Sequence, residues 1–145
     1  MSAWQTKRPV RFSHCDPAGI VFYPRYFEIA HEVLEDWFRD GLGVPFCTLI
    51  GERREGFPIV RLECDFHAAS RLGDELDVAL GVARIGGSSL HLHYALSCRG
   101  ERRLDLRTVV VHTDLATGRA VPIGADLRAR FEAHLVDDAV PGGAA

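Results

Sequence analysis

One short stretch of this chain has the residue types for carbonyl chemistry: Ser13-His14-Cys15-Asp16-Pro17-Ala18-Gly19-Ile20-Val21-Phe22-Tyr23-Pro24. Asp16 is a carboxylate followed by a proline, which fixes one φ angle, and by a glycine, which can take a positive one. That is the composition of a tight loop. Pro24 suits the first turn of a helix, where its missing N–H is not needed. Helix N-termini present unpaired N–H groups and a partial positive charge. A carbonyl held there would be polarised while Asp16 attacks it or activates a water. The plainer reading of Asp16 is a turn or N-cap aspartate, and spacing alone does not separate the two. Cys15 could be a nucleophile near the same helix start, where thiols acidify. Only the adjacent His14 stands in a defined relation to it, so a buried loop cysteine is the favoured reading.

Other chemistry is thinner. His91 and His93 share one face of a strand pattern, but no further ligand is spaced with them. A metal site needs more donors, so polar-face histidines are favoured and no metal or cofactor is expected. The nearest approach to G-x-S-x-G is Gly87-Ser88-Ser89-Leu90-His91, which lacks the final glycine. No phosphate-binding glycine loop is present.

The elements that must position Asp16 follow from periodicity. Residues 9–13 alternate and predict a short strand after a polar lead-in. Tyr23, Tyr26, Phe27, Ala30, Leu34, Trp37 and Phe38 recur at spacings of three and four, predicting a helix over 23–40 with one broad apolar face. Its acidic run reads as the solvated side. Gly41 and Gly43 stop it. Residues 44–57 read as a connection with a short helix at 46–52. Residues 59–69 alternate, with Val60, Leu62, Cys64, Phe66 and Ala68 on one side. Three further alternating runs begin near Leu76, Leu90 and Leu104. They are separated by turns at Gly86-Gly87 and Arg99-Gly100, and short turns favour an antiparallel meander. A terminal helix is expected over 122–135, then a fraying tail from Asp137. A long apolar-faced helix followed by strands predicts an α+β domain in which a sheet covers the helix.

The 145 residues suit a single domain, 1–145, with a real core. The formal net charge of −3 points to neither nucleic acid nor a membrane surface. No apolar run approaches the ~20 residues of a membrane span, and residues 1–8 lack the apolar segment of a secretory signal. Cys15, Cys47, Cys64 and Cys98 are scattered without C-x-x-C spacing, so a reducing cytoplasmic setting is expected.

The stretch Asp16-Pro17-Ala18-Gly19-Ile20-Val21-Phe22-Tyr23-Pro24-Arg25-Tyr26 resembles the signature of the 4-hydroxybenzoyl-CoA thioesterase family of the Pseudomonas type. Gly56 with Pro58-Ile59-Val60 is similar to that family's entry to its second strand. The resemblance implies a hotdog fold, with a five-stranded antiparallel sheet wrapped around the long helix. It also implies an acyl-CoA thioesterase working without a cofactor, as a homodimer or homotetramer with active sites at the subunit boundary. Asp16 would be the catalytic carboxylate, and the backbone N–H of Tyr23 would polarise the thioester carbonyl. Gly19, His31, Arg84 and Ser88 are carried over as substrate-binding residues. Two positions depart from the family. A basic cluster that grips the nucleotide phosphates is here Arg84 followed by Gly86-Gly87-Ser88-Ser89. His31 stands where the family has an acidic residue near the substrate's phenol; an aromatic, hydroxybenzoyl-CoA-like thioester is the expected substrate, with an acyl group that can differ from 4-hydroxybenzoyl. The alternatives are a short-chain acyl-CoA or acyl-carrier-protein thioesterase, and a non-catalytic acyl-CoA-binding protein of the same fold.

Overall fold

The computed structural model describes residues 2–137. The expected tail lies almost entirely outside them. The helix α1, Pro24–Asp36, buries Tyr26, Ile29, Ala30, Val33 and Leu34. Trp37 and Phe38 extend the apolar face through a wider final turn, Trp37–Gly41, closed by the Leu42 N–H donating to the Trp37 carbonyl at 2.8 Å. Gly41 is required there, because a Cβ would stand 2.5 Å from Cδ1 of the Trp37 ring.

Five strands form an antiparallel sheet against this helix: β1 (Trp4–Pro9), β3 (Ile59–Phe66), β4 (Glu75–Ile85), β5 (Ser89–Cys98) and β6 (Glu101–Val111). Short strands β2 (Glu55–Gly56), β7 (Thr113–Asp114) and β8 (Arg119–Ala120) make a separate small sheet. Along β4, β5 and β6 the inward side chains are Leu76, Val78, Leu80, Val82, Leu90, Leu92, Tyr94, Leu96, Leu104, Leu106, Thr108 and Val110, all buried. Each buried aliphatic side chain contributes roughly 1.5–3 kcal/mol of transfer free energy, which is what holds the sheet on the helix. A second helix, α2 (Ala125–Glu132), seats Leu127 and Phe131 in the same core. The Phe131 ring stacks on Trp37 at 5.8 Å.

The sequence expectations need three corrections. The first strand is Trp4–Pro9, not 9–13, and residues 12–14 form a 3-10 turn. The polar lead-in alternates in burial though not in residue type, and its backbone is satisfied by β4, with Thr6 opposite Val78 and Arg8 opposite Leu76. The four later strands are not a simple meander, since the sheet order is β1-β4-β5-β6-β3. Residues 67–74 form a crossover that leaves β3 on the far edge beside β6. Finally, β3 does not bury its apolar side. Val60 sits in a register shift between Ile59 and Arg61. Leu62 and Phe66 stand opposite Thr108 and Leu104 on the helix side of the sheet but at its edge, where α1 covers them only in part, 40% and 52% exposed.

The crossover is fixed by a buried ion pair. Arg103 Nη1 donates to Asp74 Oδ2 at 2.7 Å, to the Ala69 carbonyl at 3.0 Å and to Ser70 Oγ at 3.2 Å. The Arg71 N–H and Arg99 also donate to the Asp74 carboxylate. The Arg103 guanidinium, then the Arg71 N–H, hold the Asp74 carboxyl down at about 2.

Candidate active site

Residues 14–22 fold into a small hairpin with Asp16 at its turn. The Asp16 N–H donates to the Ile20 carbonyl at 3.0 Å, and the Phe22 N–H to the His14 carbonyl at 2.9 Å. The Gly19 N–H returns to the Asp16 carbonyl at 2.9 Å, and Gly19 has φ +79°. Aspartate, proline at the second position and glycine at the fourth are the residues such a turn requires. Asp16 Oδ1 accepts the Ala18 N–H at 2.8 Å. One carboxylate oxygen is therefore oriented by the loop, and the side chain stays half-buried beside solvent.

The hairpin rests on the crossover. The Val21 N–H donates to the Ser70 carbonyl at 2.9 Å, and the Leu72 N–H to the Gly19 carbonyl at 3.1 Å. The Arg103–Asp74 pair thus anchors the shelf that carries Asp16. Sequence reading missed both residues: Asp74 stands in the charged turn Arg71-Leu72-Gly73-Asp74-Glu75 and Arg103 in the charged run Glu101-Arg102-Arg103, where neither type nor spacing singles them out.

Tyr23 precedes α1 with helical backbone angles. The Arg25 N–H is taken by the Phe22 carbonyl and the Tyr26 N–H by the Tyr23 carbonyl, whereas no backbone acceptor takes the Tyr23 N–H among the described residues. It remains a donor at the positive end of a helix. The exposed Tyr23 ring meets Phe66 edge-on at 6.3 Å, which places the hairpin at the Phe66 end of β3.

His31 lies two turns further along α1. It lines a small cavity of about 30 Å³ with Phe27, Leu34, Leu62, Tyr94 and Thr108. Burial pushes the Tyr94 phenol's pKa up, so it is a neutral hydroxyl across the physiological range. Arg84 and Ser88 lie at the other end of the sheet. Arg84 pairs in register with His91, near Ile59 and Val110. That end is separated from Phe66 by the eight residues of β3, about 25 Å. Within one chain the structure therefore brings Asp16, Gly19 and Tyr23 together but not Arg84 or Ser88. Arg84 lines a groove of about 340 Å³ on the outer face of the sheet, with Arg61, Glu63, His91 and Arg107.

The other candidate chemistry has structural partners. His93 Nε2 and His67 Nε2 approach the two oxygens of buried Asp105 at 3.2 and 2.8 Å, and Arg102 caps the same carboxylate. Among the described residues no three histidine, cysteine or acidic side chains are grouped to hold a metal. Cys15 Sγ sits 3.5 Å from the Arg11 carbonyl, while His14 Nδ1 accepts the Arg11 N–H. The imidazole is thus occupied by backbone and is not placed as the thiol's base. No helix among the described residues is long and apolar enough to cross a membrane.

A long helix wrapped by a five-stranded antiparallel sheet defines the hotdog class. The profile of the Thioesterase-like superfamily matches residues 10–131, and the chain belongs to that superfamily. Among curated relatives, a 1,4-dihydroxy-2-naphthoyl-CoA hydrolase from Synechococcus elongatus is 26% identical over 124 residues, 85% of this chain and 90% of that one. One of the same name from Acaryochloris marina is 28% identical over 70% of this chain and 75% of that one. A solved gentisyl-coenzyme A thioesterase superposes with TM-score 0.78 and 27% identity, over 89% of this chain and 99% of that one. A thioesterase superfamily structure from Jannaschia shares the fold, with TM-score 0.85 and 24% identity over 93% and 94% of the two chains.

Proposed function

We propose that the protein hydrolyses an aromatic acyl-CoA thioester to the free acid and coenzyme A, with Asp16 as the reacting carboxylate. The observation that carries the reading is the pairing of Asp16 with the Tyr23 N–H. The carboxylate sits on a hydrogen-bonded turn seven residues before a helix-start donor that no backbone group among the described residues occupies. A thioester carbonyl needs little more. Its thiolate leaves readily, and an N–H at the helix start stabilises the oxyanion as charge develops. Asp16 either takes a proton from the attacking water or attacks the carbonyl itself to give an anhydride that water then opens. The acyl class follows the relatives, which are named for dihydroxynaphthoyl-CoA and gentisyl-CoA. Resemblance to the 4-hydroxybenzoyl-CoA branch supports the same class.

The working unit in this reading is a homodimer, from which the tetramer implied by the resemblance would be built. Edge strand β3 exposes Ile59, Val60, Leu62 and Phe66. Two copies pairing antiparallel about a two-fold axis set the Phe66 end of one against the Ile59 end of the other. Asp16 and Tyr23 of one chain would then face the cavity of the partner, and His31 would line the acyl group. The same step brings Asp16 to the end of the sheet that carries Arg84 and Ser88, the proposed coenzyme A contacts.

The test is hydrolysis across a panel of benzoyl, hydroxybenzoyl, naphthoyl and short aliphatic CoA thioesters and an acyl-carrier-protein thioester. Aromatic CoA substrates are expected to lead in kcat/KM. Asp16→Asn, which removes the charge and nearly keeps the shape, should lower kcat about 100-fold or more and leave substrate binding in place. A folded Asp16→Asn protein with near wild-type turnover would falsify the assignment.

A further inference from the structure

The cavity between α1 and the sheet contains a polar group that the fold itself does not use. Thr108 is 3% exposed and lies on the inward side of β6 between Leu106 and Val110. Its Oγ1 is buried and has no hydrogen-bond partner among the described residues. The Tyr94 hydroxyl lies beside it, near enough that a Thr108 O–H turned toward the phenol would favour its ionisation, but the pair does not reach hydrogen-bond geometry. Both residues line the cavity with His31, and the rest of the wall that they share is apolar: Phe27, Ala30, Leu34, Leu62 and Leu106.

A hydroxyl buried without a partner is costly, and folds do not keep one at random. Valine has the same shape and would fill this position without that cost. The neighbouring inward positions of the same strand are indeed aliphatic. An apolar pocket with a few placed polar groups is how a ligand's orientation is read.

Building on the thioesterase reading above, we infer that Thr108, with Tyr94, recognises an oxygen substituent on the aromatic ring of the acyl group, making it a specificity-determining residue for hydroxylated aroyl-CoA. A ring hydroxyl brought to β6 can accept from the Thr108 O–H or donate to its oxygen, and the phenol of Tyr94 supplies a second hydroxyl. An unsubstituted ring would fill the same space and leave Thr108 unsatisfied. Sites built to bond a substrate hydroxyl reject the analogue lacking it far more strongly than apolar pockets reject a change of size.

The experiment compares kcat/KM for benzoyl-CoA with that for 2-, 3- and 4-hydroxybenzoyl-CoA and a hydroxynaphthoyl-CoA in wild type, Thr108→Val and Thr108→Ser. Wild type is expected to prefer at least one hydroxylated substrate. In Thr108→Val that preference, the ratio of hydroxylated to unsubstituted kcat/KM, should fall by about 10-fold or more. Thr108→Ser should restore it, because the hydroxyl returns. Thermal melting should show Thr108→Val at least as stable as wild type, so a lost preference cannot be ascribed to unfolding. An active enzyme whose preference is the same in Thr108→Val overturns the inference and leaves the thioesterase reading intact. Wild type with no hydrolysis of any aroyl-CoA overturns both.

Discussion

The Asp74–Arg103 pair ties the stability of the crossover to the position of the Asp16 hairpin, and Asp74→Asn tests it. The substitution keeps the shape and removes the charge, leaving Arg103, 6% exposed, beside a neutral amide. Asp74 is pulled from 3.8 to about 2 by Arg103 first and the Arg71 N–H second. Its folded value is depressed, so its stabilisation is fully present above the unfolded value near 4 and is lost as pH falls through about 2. At neutral pH the shift corresponds to roughly 1–2 kcal/mol, once solvent near the pair is allowed for. For a chain of this length that lowers Tm by about 3–8 °C. Melts of both proteins at fixed concentration, from pH 3 to pH 7, should show the gap steady above pH 5 and cut to roughly half by pH 3. Turnover of the best substrate should also fall several-fold, because Ser70 and Leu72 hold the Asp16 hairpin. A gap that is absent, or that keeps its size from pH 7 to pH 3, refutes the reasoning.

Two further outcomes are expected beside the Asp16 and Thr108 variants. Leu62→Lys places a charge in the middle of the exposed β3 edge, and sedimentation at micromolar concentration should show monomers with hydrolysis largely lost. A dimeric, active Leu62→Lys protein would argue against β3 pairing. Gly19→Ala meets no neighbour within 4 Å, so its cost is the positive φ alone, about 1 kcal/mol. It should lower kcat more than it raises KM by loosening the Asp16 turn, and unchanged kcat with lowered stability would separate the turn from the chemistry.

Much of the site was legible because its parts are local. Asp16, Pro17 and Gly19 are the residues of one turn, and that turn is what the structure contains. The apolar spacing from Tyr23 to Phe38 wrote α1 in adjacent residues, as alternation wrote β4, β5 and β6. What the chain could not show by itself was pairing between distant segments. Trp4–Pro9 is a strand because β4 offers it an edge, and its own polar sequence does not announce that. β3 lies beside β6 because residues 67–74 are locked by Arg103, which comes from a strand some thirty residues later. Arg84 and Ser88 were carried over by resemblance as substrate-binding residues, and only the sheet's register sets them apart from Asp16 by the length of a strand. Thr108 was one more residue in an alternating run until burial left its hydroxyl without a partner among the described residues. Periodicity and turn chemistry depend on near neighbours, whereas strand order, ion-pair burial and an unsatisfied hydroxyl depend on which surfaces meet, and that is decided only when the whole core closes.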